Sequence, residues 1–311
     1  MDSGTRIGWG IIGVGDVTEV KAAPEIFRID GSTLVRVMRR DPGKARDYAV
    51  RHGIETWGTD PGEVIDDPAV DVVYIATPTA SHAEYAIAAA RAGKHVLVEK
   101  PMAMSQAEAA AMVEAARANG VKLWVAYYRR ALPRFATIRG LLQDGAIGEV
   151  LSVQSTWRRP AAFTGWRWDP ALNRGGEFAE TACHTLDVLD HLVGPISGGG
   201  GVATADAHTV AASFRLGEVP ASGTWTFGSA DEVEENVVVG TAGTLRFATF
   251  APTPIRVTTA AGTVEHPVAD PPHVHGPLVA SIVAELHGRG TCPSTGDSAL
   301  RTAGLVERVL A

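Results

Sequence analysis

Ile7 to Val20 reads IGWGIIGVGDVTEV, a β-rich run that ends in glycines and passes at once into residues suited to a helix. In a G-x-G-x-x-G loop the first glycine makes the tight turn. The second lets backbone approach a pyrophosphate, whose charge sits at the helix N-terminus. Gly13 and Gly15 fill those two positions, and Thr18 stands at the third, where Gly or Ala is usual. Taken alone, such a loop suits a plain strand–helix turn equally well. The rest of the chain has to decide.

Outward from that loop the first third alternates strand and helix. STLVRVM (32–38) predicts a second strand, and PGKARDYAVRHG after it a helix closed by Gly53. VDVVYIAT, HVLVE and VKLWVAY read as further strands, with a short one near Thr56 and Trp57. SHAEYAIAAARAG predicts a helix capped by Ser81 and ended by Gly93, and SQAEAAAMVEAARANG another, stopped at Asn119-Gly120. Strands alternating with helices of this length imply βαβ units, hence a doubly wound parallel sheet with helices on both faces. With that succession behind it, the glycine loop predicts a nucleotide cofactor, with Gly13, Gly15, Asp16 and Val17 as its contacts.

Beyond about residue 150 the rhythm changes. Strand-like runs such as VLSVQSTWR, TVAASFRL and ASGTWTFG follow one another, with TAGT and AAGT as hairpin connections. One prominent helix, Glu177 to Val193, belongs to this half, and SGGGG at Ser197–Gly201 is expected to be a flexible loop. The expected architecture is α/β: a parallel-sheet domain over 1–124, then an α/β domain over 125–311 with a large, mostly antiparallel open sheet. The C-terminal helix is free to pack back on the first domain.

At 311 residues two domains are the better expectation. A formal charge of −7 argues against a nucleic acid or an anionic membrane as partner, since both call for a basic surface. Without a long apolar run or a signal-peptide layout, a cytoplasmic location is expected. Cys183 and Cys292 are the only cysteines, too few for a disulfide framework and not at metal spacing.

Three stretches carry chemistry. In HVLVEKPMA (95–103), Glu99 and Lys100 end a strand at the sheet edge where ligands of doubly wound folds sit, so Lys100 is expected to face the cofactor crevice. Pro101 fixes the chain direction after it and admits a cis bond. At the end of the second strand, Arg39 and Arg40 stand where an acid would bind the ribose of NAD. Two arginines suit a 2′-phosphate, which favours NADP(H); Asp41 keeps NAD(H) as the alternative, and plain surface arginines are the competing explanation. On the helix after Gly176, Glu180, His184, Asp187 and His191 fall at i, i+4, i+7 and i+11. That stripe fits a solvated helix face, a metal-ligand set, or histidines tuned by neighbouring carboxylates. With a nicotinamide at hand no metal is required, and none is expected.

HAEYAIAAARAGKHVLVEKPMA resembles the signature of the glucose–fructose oxidoreductase, inositol dehydrogenase and rhizopine catabolism family (Gfo/Idh/MocA), over nearly all of residues 6–194 and more diffusely beyond. The lysine of that family's E-K-P motif matches Lys100, and its catalytic histidine matches His184. The histidine motif departs here, with Arg174 for the first glycine, Glu180 for the aspartate and Ala182 for the following glycine. The resemblance implies an N-terminal Rossmann domain, a C-terminal domain whose open sheet often forms the oligomer interface, and oxidation or reduction of a sugar, cyclitol or related polyol. It implies substrate contacts for Tyr128 and Arg129 in AYYRRALP and for Trp166 and Arg167 in GWRWDP. It also implies cofactor contacts for Thr77, Pro78 and His82 in ATPTASH, alongside Glu99. Core packing, an ordinary ion pair and a first-turn helix position are the competing explanations for these residues.

The expected reaction is reversible hydride transfer between nicotinamide and a carbinol or carbonyl carbon. His184, with an ordinary pKa near ~6.5, suits proton transfer in either direction. Lys100 would donate a hydrogen bond to the reacting oxygen, and Glu180 would orient His184 or hold a substrate hydroxyl. Two rivals of the same fold are a nicotinamide-dependent glycoside hydrolase and a non-catalytic nucleotide-sensing regulator. A homodimer or homotetramer is expected.

Overall fold

In the computed structural model, which describes residues 6–161, 169, 171–173 and 176–311, the apolar runs of the first third form a six-stranded sheet. Its strands are β1 (Ile7–Ile12), β2 (Ser32–Met38), β3 (Thr56–Gly58), β4 (Val72–Ile75), β5 (His95–Val98) and β6 (Leu123–Val125). Their order is β3-β2-β1-β4-β5-β6, and every pair is parallel. The direction of winding reverses between β1 and β4, which is where a crevice opens at the strand ends. β1 and β4 are buried along their whole length, as helices on both faces require.

The helices between these strands start and stop for local reasons. Asp41 Oδ1 accepts the Lys44 amide at 3.0 Å and so caps helix Pro42–His52, which ends at a left-handed Gly53. Ser105 caps helix Gln106–Ala118 through the Glu108 amide, while Glu108 reaches back to the Met104 amide, a reciprocal arrangement. Ser81 does not act as the expected cap. Thr79–Ser81 form a 3-10 turn leading into helix His82–Arg91, and the Ser81 hydroxyl donates to Thr77 Oγ1 and the Pro78 carbonyl instead.

An eight-stranded sheet follows: β7 (Val150–Arg159), β8 (Ile196–Ala203), β9 (Thr209–Leu216), β10 (Val219–Phe227), β11 (Val233–Gly240), β12 (Gly243–Phe247), β13 (Ile255–Thr259) and β14 (Gly262–His266). The order is β14-β13-β12-β11-β7-β10-β9-β8, antiparallel except for β7 beside β10. Burial alternates along the strands. Val153, Ser155 and Trp157 of β7 face inward, as do Val210, Phe214 and Leu216 of β9, while Gln154, Thr156, Ser213, Ser222 and Thr224 are exposed. Trp225 is wholly buried, with Phe178 edge-on to it at 5.4 Å.

Ser197–Gly201, expected as a flexible loop, belong to edge strand β8. The register with β9 shifts between Ser197 and Gly200, and Gly198 and Gly199 take φ values of 58° and 90°. A Cβ at Gly199 would lie 2.6 Å from Cβ of Phe214, so the glycines serve a bulge and a close approach. Arg308 donates to the carbonyls of both.

Two compact units result: Met1–Ala131 with Pro271–Leu300, and Leu132–Asp270 with Arg301–Ala311. The first unit therefore includes helix Gly276–Leu286 from late in the chain, rather than ending once near residue 124. Among the described residues, no helix is long and apolar enough to cross a membrane.

Candidate active site

In the first unit the glycine loop is drawn back over the sheet. The amides of Gly13 and Val14 both donate to the Met38 carbonyl, at 2.9 and 3.1 Å. Gly13 has φ 95°, and a Cβ there would lie 2.7 Å from Thr77 Cγ2 and 2.9 Å from the Ala76 carbonyl oxygen. Only glycine fits. Thr18, in the place of the third glycine, is fully buried; its hydroxyl accepts from the Gly15 amide at 2.9 Å and donates to the Gly15 carbonyl at 2.8 Å. A side chain thus ties the loop where the familiar pattern relies on a small residue. Asp16 is exposed and Val17 half-buried at the start of the helical turn.

β2 ends at Met38, so Arg39 and Arg40 are the first residues past the strand. A guanidinium nitrogen of Arg39 lies 3.9 Å from where a Cβ on Gly15 would be, which brings this cation alongside the loop. Asp41 is engaged as a helix cap, and the Lys44 amide holds its carboxyl below the usual range.

The turns after β4 and β5 are knitted together. His82, 1% exposed, has Nε2 2.9 Å from the Thr77 carbonyl and Nδ1 3.0 Å from the Pro101 carbonyl. It is also the first residue of its helix. Pro78 is half-buried in the same turn. Glu99 is buried: Tyr74 donates to its Oε1 at 2.7 Å, and the Lys100 amide donates to its Oε2 at 3.2 Å. Burial, and then the charge of Glu99, push the Tyr74 phenol well above its ordinary pKa, so it remains a donor. Lys100 follows, half-buried, and the Lys100–Pro101 bond is cis. Tyr128 and Arg129 are both buried; the guanidinium lies 4.7 Å from the Tyr128 ring centre, and His275 packs on that ring at 4.6 Å.

In the second unit a five-residue π-helical turn, Phe178–Ala182, runs into helix Cys183–Leu192. The turn departs from the 3.6-residue α-helical period over Phe178–Ala182. The solvated-face explanation fails, because Glu180, His184 and Asp187 are all buried and only His191 is half-exposed. His184 stands edge-to-face with Phe250, centroids 5.4 Å apart. Asp190 accepts from Arg301 through both oxygens and from the Ile196 amide, fixing the end of the helix. Among the described residues, no group of three His, Cys, Asp or Glu side chains is disposed to hold a metal ion. Trp166, Arg167 and Arg174 lie outside the described residues.

Three residues now belong to the picture that the sequence did not single out: Tyr74, His275 and Phe250. Tyr74 had a usable signal, since a tyrosine inside an apolar strand must place its hydroxyl. The others come to their places only through long-range folding.

This chain belongs to the Gfo/Idh/MocA oxidoreductase family. Residues 7–127 match the family model described as "Oxidoreductase family, NAD-binding Rossmann fold", and residues 135–246 match the GFO/IDH/MocA C-terminal domain. It is an enzyme of the NAD(P)-binding dehydrogenase and reductase kind. Similar proteins include "Oxidoreductase P35" of Formosa agariphila, 34% identical with 95% of each chain covered. The scyllo-inositol 2-dehydrogenase (NAD(+)) of Bacillus subtilis is 29% identical over 81% of this chain and 77% of its own. Among solved structures, levoglucosan dehydrogenase in complex with NADH and levoglucosan superposes with a TM-score of 0.85, covering 98% of this chain and 97% of that one. At 24% identity that likeness is one of fold.

Proposed function

We propose that this enzyme uses NADP(H) to interconvert a secondary alcohol and a ketone on a sugar, cyclitol or related polyol. The observation that carries the reading is Lys100, half-buried at the carboxyl end of β5 on the same sheet edge as the Gly13 loop. An inositol dehydrogenase and a levoglucosan dehydrogenase among the proteins similar in sequence support a cyclic polyhydroxylated substrate.

The strand ends fit a dinucleotide. A cradle too tight for a Cβ at Gly13, with Gly15, Asp16 and Val17, would receive the pyrophosphate, and Arg39 and Arg40 a 2′-phosphate. Thr77, Pro78, His82 and Glu99 would shape the wall beside them. When bound, the nicotinamide supplies or takes up the hydride. His184 takes the hydroxyl proton during oxidation and returns it during reduction. Lys100 donates a hydrogen bond to the reacting oxygen and stabilises negative charge there. Glu180 positions His184 or a neighbouring hydroxyl, and Tyr128 and Arg129 contact the substrate.

The test is a panel of cyclic polyols, levoglucosan and scyllo-inositol among them, offered with NADP+ and with NAD+ while absorbance of the reduced nicotinamide is followed. Reduction of NADP+ by at least one polyol is expected. Cleavage of a glycoside with no net cofactor reduction would contradict the reading.

A further inference from the structure

We propose that Phe250 is a positioning residue for His184, set in place by a bend that the fold clamps from both sides. The proposal rests on the reading of His184 as the proton-transfer group. A proton moves along a directed hydrogen bond, so the imidazole must be held in one orientation and not merely near the substrate. The helix fixes the Cα of His184 but leaves its side-chain torsions to the neighbours.

Phe250 is such a neighbour. Its ring meets the imidazole at 5.4 Å with an interplanar angle of 89°. It also lies stacked on Trp157 of β7 at 4.6 Å and 28°, and Trp157 is itself set edge-on to Phe227. A ring backed by an indole cannot swing aside without losing that stack.

The backbone around Phe250 is gripped more firmly than an ordinary bend. Glu234 Oε1 accepts the amides of Thr249 and Phe250, both at 2.8 Å, and Oε2 accepts that of Ala251 at 2.9 Å. From helix Pro133–Gln143, buried Arg134 donates to the carbonyls of Ala251 and Thr253, each at 2.6 Å. Thr249 is held too. Its hydroxyl accepts from Asn236 Nδ2 at 3.1 Å and shares a 3.0 Å hydrogen bond with Thr185, the residue next to His184. Asn236 in turn accepts from Ser155 at 2.7 Å, and all four members of this chain are buried. Satisfied buried networks of this kind rigidify what they touch. The bend therefore grips the helix at two adjacent residues, through a hydroxyl pair at Thr185 and a ring pair at His184.

The test uses the full chain labelled with 15N and reads the histidine ring signals, with those of His184 assigned by their loss in His184→Asn. Wild type should show one imidazole tautomer at His184. Phe250→Leu should show a mixture, and Phe250→Tyr should keep the wild-type state. Glu234→Gln, which sets an amide against one of the three backbone donors, should move the tautomer balance in the same direction as Phe250→Leu. It carries the test should Phe250→Leu fail to fold, as read by thermal melting. On a polyol that turns over, Phe250→Leu should lower kcat roughly tenfold with KM unchanged, part of the loss that misplacement of a reacting group brings. An unchanged tautomer state in the folded variants, or a raised KM at unchanged kcat, would overturn the proposal. Normal turnover in His184→Ala would instead sink the reading of His184, whatever the tautomer signals show.

Discussion

The Tyr74 phenol donates a 2.7 Å hydrogen bond to Glu99, the residue directly before Lys100. The two side chains come from neighbouring parallel strands, paired so that Ile75 lies opposite Val98. One strand thereby sets the carboxylate at the end of the next. Tyr74→Phe keeps the packing and removes a hydrogen bond to a charged group, so unfolding free energy should fall by about 1.5–3 kcal/mol. Urea unfolding measures this. A loss below about 0.5 kcal/mol, the scale of neutral surface changes, would mean that other contacts orient Glu99.

Alkaline pH should weaken the fold through the same kind of group. Burial pushes Tyr48 up to about 12, and Tyr74 lies well above its ordinary value. In the unfolded chain both ionise near ~10. Between those values the folded state holds more protons than the unfolded one, so stability is full below pH ~10 and falls as pH rises through the folded pKa. Thermal melting followed from neutral to alkaline pH should show this decline, with a shallower slope in Tyr48→Phe. Identical slopes would remove Tyr48 from the account.

Cofactor choice should follow Arg39. A charge-assisted hydrogen bond to a 2′-phosphate is worth about 1.5–3 kcal/mol, hence roughly ten- to hundredfold in affinity, with salt pulling toward the lower figure. Arg39→Asp should weaken NADPH far more than NADH in fluorescence titrations. Asp41→Ala should lower the melting temperature through loss of the helix cap and leave the preference unchanged. Equal affinities of the unaltered protein for the two cofactors would contradict this assignment.

The second sheet presents Gln154, Thr156, Ser213, Ser222 and Thr224 outward, and its edge strands expose Val202 and Val264. Free edges of that kind are ordinarily protected. A dimer or tetramer is expected from light scattering at micromolar concentration, and a strictly monomeric mass would count against it.

What could be read from the sequence was what short-range chemistry determines. The Gly13 loop, the strands around it and the turn signals at Gly53 and Asn119-Gly120 are set by residues a few positions apart. The position of Lys100 just past the end of β5 was legible because a strand end in a parallel sheet has a known meaning. The run Ser197–Gly201 misleads because a string of glycines suggests freedom, whereas β9 and Arg308 fix it in an edge strand. The burial of Glu180, His184 and Asp187 was not legible, because an α-helical wheel knows nothing of the layers that cover the helix. Phe250 and Glu234 had no local signal at all, since only the sheet brings β11 and the bend after β12 to the His184 helix.

The central claim is that Lys100 and His184 carry the chemistry rather than the binding. Steady-state turnover of Lys100→Ala and His184→Ala on the best polyol of the panel, measured beside cofactor titration of each variant, tests it most directly. Turnover should fall by ~10²-fold or more in both, the usual contribution of acid–base catalysis, while cofactor affinity is retained. Near-normal turnover in both variants would contradict the assignment.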